Sequence, residues 1–143
     1  EYYVKSYRTH GNLVKLFPDT KQALDYVRAK HIPQIVLSNK HEGALLEEVE
    51  RQGVASYFAR IQGTTGPLGK PDKAFTAPIL DQFKPKKVIL IGDGISDMLM
   101  ARNMGARSIL VHQPDKTLPH EFDCETLISV CQIIDTVLNN EVE

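Results

Sequence analysis

The feature that most constrains this chain is Val88-Ile89-Leu90-Ile91, an unbroken apolar run that stops abruptly at Gly92-Asp93. Apolar and polar residues do not alternate along it. A strand built from it must therefore be covered on both faces, as in a parallel sheet between helical layers. Ile35-Val36-Leu37, ending at Ser38-Asn39, and Ile109-Leu110-Val111 have the same character. Phe58-Ala59-Arg60-Ile61 is more polar and suits an edge strand.

Amphipathic stretches fall between these runs. The spacing predicts helices over 19–30, 43–52, 71–83, 97–104 and 126–138. Asp19 followed by Gln22 is a capping-box pattern. Pro78 should kink or split the third helix. The segments 62–69 and 112–123 read as loops. Strand and helix thus alternate in the pattern of a doubly wound α/β fold with a mostly parallel sheet, and ligands of such sheets bind beyond the carboxyl ends of the strands.

Composition narrows the function classes. The 143 residues, 42% of them apolar, suffice for one core. A net charge of -1 argues against bulk attraction to nucleic acid. The longest apolar runs hold four or five residues, against the ~20 that a membrane-spanning helix needs. Cys124 and Cys131, seven residues apart, supply neither a disulfide framework nor a zinc site. They read as small buried apolar groups of a reduced compartment, so a cytoplasmic location is expected.

Three polar groups at strand ends or helix starts could carry chemistry. Asp93 and Asp97, four residues apart, follow a buried strand and open a helix. Two acids held that close repel unless a cation joins them, and hard carboxylate oxygens suit Mg2+. As an alternative, Gly92-Asp93-Gly94 is a tight turn and Asp97 complements a helix N-terminus. Ser38 and Asn39 stand where a hydroxyl and backbone N–H groups can hold a phosphate oxygen, or simply cap the next helix. Lys70, between Gly69 and Pro71, is placed to neutralise a phosphate or an acidic cluster. A P-loop is excluded, because Thr64 and Pro71 stand where that motif needs Gly and Ser or Thr. No Gly-x-Ser-x-Gly occurs, and the five histidines form no ligand spacing.

The ordered set Ser38, Lys70, Asp93 and Asp97 resembles motifs two, three and four of the haloacid dehalogenase-like hydrolase superfamily. The wording Leu37-Ser38-Asn39-Lys40, Gly69-Lys70-Pro71-Asp72 and Ile91-Gly92-Asp93-Gly94-Ile95-Ser96-Asp97 is similar to its phosphoglycolate phosphatase-like branch. The resemblance implies Mg2+-dependent phosphoryl transfer from a small phosphorylated metabolite through an aspartyl-phosphate. Ser38 and Asn39 would bind the phosphoryl group and Lys70 would offset its charge. Asp93 would ligate Mg2+, and Asp97 would support the metal or hold Lys70. A non-catalytic phosphate- or metal-binding regulatory module is the alternative. A receiver-like signalling domain fits less well, since no acidic pair follows an earlier strand.

The family's first motif, Asp-x-Asp, is absent. Leu16-Phe17-Pro18-Asp19-Thr20 offers one Asp, better suited to capping a helix than to nucleophilic attack. Tyr2 to His10 resembles the end of the family's helical cap. Residues 1–16 are thus expected to be a cap remnant and 17–143 an incomplete core. The natural protein is expected to extend upstream by on the order of 70–90 residues. This chain alone is expected to be inactive, the nucleophile lying outside it. Its sheet should lack the first central strand, leaving edges for a partner strand, a swapped copy or an N-terminal segment.

Overall fold

The computed structural model describes residues 2–6, 19–66, 69, 72–84 and 87–140. Six parallel strands form one sheet in the order β3-β2-β1-β4-β5-β6. They are β1 (Tyr2–Ser6), β2 (Gln34–His41), β3 (Phe58–Thr64), β4 (Val88–Gly92), β5 (Arg107–Val111) and β6 (Phe122–Cys124). The helices are α1 (Thr20–Ala29), α2 (Glu42–Arg51), α3 (Lys73–Phe83), α4 (Ile95–Met104) and α5 (Leu127–Asn140).

The unbroken apolar runs do what their composition demands. Side chains of a strand alternate between faces. Ile89 and Ile91 pack with α1 and α5, whereas Leu90 packs with α3 and α4. Val36 meets α1 and α2, while Ile35 and Leu37 turn to the α3 side. Helices α1, α2 and α5 therefore cover one face, and α3 and α4 cover the other. The polar run is an edge strand, β3, as expected.

The expected gap in the sheet is not found. Tyr2–Ser6 forms β1, which pairs in parallel with β2 and β4. Val4 stands level with Ile35 on one side and with Leu90 on the other. Tyr2–Ser6 thus runs as a strand rather than as the end of a cap helix. Residues 7–10, and the division expected between 16 and 17, lie outside the described residues. The physical reason is the neighbours: the facing backbone groups of the buried strands β2 and β4 need partners, and the β1 ladder satisfies them whatever its side chains.

Four smaller expectations are also corrected. Asp19 precedes α1 but makes no side-chain bond to it; its Oδ2 accepts from the Ile128 N–H at the start of α5, 2.9 Å away. Helix α3 runs through Pro78 without splitting, because Phe75 and Ile79 are held in the core on either side. The segment 112–123 is not all loop, since β6 begins at Phe122. Cys131 is buried but Cys124 is only half-buried, and both are free thiols.

The loop between β5 and β6 is clasped by His120. One ring nitrogen lies 2.5 Å from the Leu118 carbonyl oxygen and the other 2.9 Å from Asp123 Oδ2. A neutral imidazole has a single N–H, so two acceptors favour the doubly protonated ring. The Leu118 carbonyl first, then Asp123, raise the His120 pKa from its ordinary 6.5, with burial and, less strongly, nearby Lys116 opposing. A raised histidine pKa contributes stability that is complete below the ordinary value and lost as pH climbs through the folded one. The urea midpoint of the wild type should therefore fall more than that of His120→Gln between about pH 6 and about pH 9. Parallel pH dependence of the two proteins would refute the clasp.

Candidate functional site

The order β3-β2-β1-β4-β5-β6 reverses direction between β1 and β4, and the crevice beyond the strand ends at such a reversal is where doubly wound sheets bind ligands. Ser38 and Asp93 flank that point. Leu37 is level with Ser6, and Lys5 with Ile91, so both polar groups follow directly from strand positions adjoining the end of β1. At the usual strand spacing their backbones stand about 10 Å apart across β1.

Asp93 follows the end of β4 and is half-buried, and Asp97 lies in the first turn of α4, 3% exposed. Asp97 Oδ2 accepts from the backbone N–H of Asp93 and of Gly94, each at 3.2 Å. This fixes the turn that presents Asp93 and satisfies amides that a helix start leaves unpaired. The approach needs Gly92: a Cβ there would fall 2.5 Å from Asp97 Cγ. Gln113 Nε2 donates to the Asp93 carbonyl oxygen at 2.8 Å, bracing the turn from the far side.

Ser38 is 3% exposed, and its Oγ accepts from the Lys40 N–H at 3.1 Å. Asn39 is exposed at the crevice, and its carbonyl accepts from Thr64 Oγ1 at 3.3 Å. Lys70 lies outside the described residues. Its neighbour Gly69 is close to the Ser38 strand end, since a Cβ on Gly69 would meet Asn39 Oδ1 at 2.8 Å.

The structure thus joins Asp93 directly to Asp97 and sets Ser38 with Asn39 across β1 from them. Neither cysteine offers a substitute nucleophile: burial, the main cause for each, pushes both thiols up to about 11, far from thiolate at neutral pH. Sequence reasoning read Gly92 only as part of a tight turn, and it missed Gln113 and the buried Glu48 of α2. Glu48 had a signal, because it shares helical spacing with Leu45 and Val49 and so falls on the buried face. Gln113 had none.

A family model described as haloacid dehalogenase-like hydrolase matches residues 1–111. The chain belongs to this family. Among curated relatives of this hydrolase family, the phosphoglycolate phosphatase of Chromobacterium violaceum is 27% identical over 117 residues, covering 77% of this chain and 51% of that protein. The phosphoglycolate phosphatase of Neisseria meningitidis serogroup A is 28% identical over 132 residues, covering 82% of this chain and 56% of that protein. The chain therefore spans about half the length of the curated relatives it matches. In fold, an uncharacterized protein from Listeria monocytogenes serotype 4b superimposes with a TM-score of 0.81 at 19% identity, over 97% of this chain and 99% of that one.

Proposed function

We propose that this chain carries the phosphate- and metal-binding half of a Mg2+-dependent phosphatase acting on a small phosphorylated metabolite. The observation that carries the reading is the placement of Ser38 and Asp93 on either side of the sheet's switch point, inside a chain of the haloacid dehalogenase-like hydrolase family. Ser38, with Asn39 beside it, would hold phosphoryl oxygens. Lys70 would offset their charge. Phosphoryl transfer is mainly positioning and charge stabilisation, so such groups suffice to prepare the reaction.

The donor set fits a partly solvated Mg2+. Among the described residues no group of three or more His, Cys, Asp or Glu could cage a metal. Mg2+ is commonly held by one or two carboxylates, with water and substrate phosphate completing its shell. Asp93 would be its protein ligand. Asp97, whose Oδ2 is engaged by two backbone amides, would act behind it by holding the turn and adding negative charge. When bound, Mg2+ would supply charge neutralisation at the phosphoryl oxygens.

The aspartyl nucleophile would come from outside these 143 residues, since Tyr-Tyr-Val-Lys-Ser in β1 contains no carboxylate. That same observation supports a second reading, a non-catalytic module that binds phosphate and metal. No helix among the described residues is long and apolar enough to cross a membrane. A cytoplasmic protein without nucleic-acid partners is the setting we propose for this activity. Titration calorimetry with inorganic phosphate and MgCl2 tests the pocket. Mg2+-dependent binding should weaken about tenfold or more in Ser38→Ala and in Asp93→Asn. Binding indifferent to both substitutions would refute it. Turnover of p-nitrophenyl phosphate by the 143-residue chain would refute the external nucleophile.

A further inference from the structure

We propose that the buried ion pair Lys40–Glu48 positions the Ser38 hydroxyl, and that Glu48 is a positioning residue for the phosphate site. The inference rests on the reading of Ser38 as a phosphate-binding group. It begins at the end of β2. Val36 faces α1 and α2, and Lys40 meets α2 as well. Helix α2 presents Leu45, Glu48 and Val49 to the protein interior. Lys40 Nζ donates to Glu48 Oε2.

The pair is asymmetric. The Glu48 side chain is 1% exposed, whereas Lys40 is 26% exposed. The second Glu48 oxygen, Oε1, is buried and makes no hydrogen bond. A buried carboxylate needs compensation for its lost hydration. Here the hydrogen bonding that compensates it comes from Lys40, which ties the end of β2 to α2.

That tie matters because the backbone is not regular at this point. The β2–β3 pairing shifts register between Leu37 and His41. An ordinary ladder therefore does not dictate the conformation of Ser38, Asn39 and Lys40. Gly63 supplies one wall, its missing Cβ leaving room for the Lys40 carbonyl and for Glu42 Cα, which a Cβ would meet at 2.7 Å. The Lys40–Glu48 pair supplies the other.

With Lys40 held, its N–H donates to Ser38 Oγ at 3.1 Å. A serine oxygen that accepts this bond still has its own O–H to donate. The arrangement thus leaves a preset hydroxyl donor for a phosphoryl oxygen. Buried ion pairs are poor devices for stability alone, since apolar pairs of similar volume often serve as well or better. The geometry here gives this one a directional task instead.

The double variant Lys40→Met/Glu48→Leu separates the two roles, because it removes the charges but keeps the volume. Three quantities are read: the thermal midpoint, hydrogen exchange at the residue-40 amide by NMR, and affinity for inorganic phosphate with Mg2+. The midpoint should be retained. Exchange at the residue-40 amide should accelerate, and phosphate affinity should fall, each about tenfold. A folded double variant with unchanged amide exchange and unchanged phosphate affinity would overturn the inference. Should the double variant fail to fold, Glu48→Gln gives the same test: faster residue-40 exchange supports positioning, and unchanged exchange overturns it. If the wild type itself binds no phosphate, the reading of Ser38 fails, while the exchange experiment still decides whether the pair positions its hydroxyl.

Discussion

Gly92→Ala is expected to destabilise the protein by about 2–4 kcal/mol, the sum of an overpacking cost and a lost helix cap. The added Cβ would lie 2.5 Å from both Cγ and Oδ2 of Asp97. Asp97 cannot move aside cheaply. It is buried in the first turn of α4, and its Oδ2 holds the N–H groups of Asp93 and Gly94. Either those two bonds are lost or the end of β4 shifts away from α4. Urea unfolding monitored by circular dichroism measures the effect. The control is Gly66→Ala, where a Cβ would meet nothing within 4 Å and a near-neutral result is expected. Asp97→Gly should absorb much of the clash, so the double variant should cost less than the sum of the singles. A Gly92→Ala midpoint equal to wild type would contradict the close approach, and with it the account of how Asp93 is presented.

Lys40→Met should cost about 3–5 kcal/mol, the range for a buried ion pair broken from one side. The carboxylate of Glu48 would be left inside the protein with neither oxygen held by a charged donor. Pairs at the surface provide the contrast. Lys116 lies 3.6 Å from Glu125, whose side chain is 82% exposed, and such pairs contribute about 0–1 kcal/mol. Glu125→Gln should therefore leave the unfolding midpoint nearly unchanged. If Lys40→Met proved as mild as Glu125→Gln, the burial of Glu48 would not carry the weight given to it.

Much of the fold was legible because buried parallel strands have a distinctive composition. Val88–Ile91, Ile35–Leu37 and Ile109–Val111 each mark a strand whose two faces pack on different helices. Ser38, Asn39 and Asp93 follow the ends of two of these runs and Asp97 opens the next helix, so the candidate site has a local signature in the sequence. Helix ends were less legible. Asp19 with Gln22 has the sequence pattern of a capping box, yet its carboxylate serves the first turn of α5. A cap competes with any amide brought near it, and sequence spacing does not say which amide arrives.

β1 was illegible for a similar reason. Two tyrosines, a valine, a lysine and a serine do not make a buried-strand pattern, and the resemblance of Tyr2 to His10 to the end of a helical cap points to a helix instead. It is a strand because β2 and β4 each present a row of backbone groups that need partners. β6, three residues long, was too short to show any period.

The parallel α/β class and the strand ends that carry polar residues follow from composition alone, because burial on both faces demands unbroken apolar runs and a run must stop somewhere. Folding in three dimensions sets the rest: β1 fills the centre of the sheet, Asp97 holds the Asp93 turn through two amides, and Glu48 reaches Lys40 beside Ser38. Those are contacts between residues distant in sequence or across a turn. They depend on which donors and acceptors folding leaves without water, and no local pattern records that.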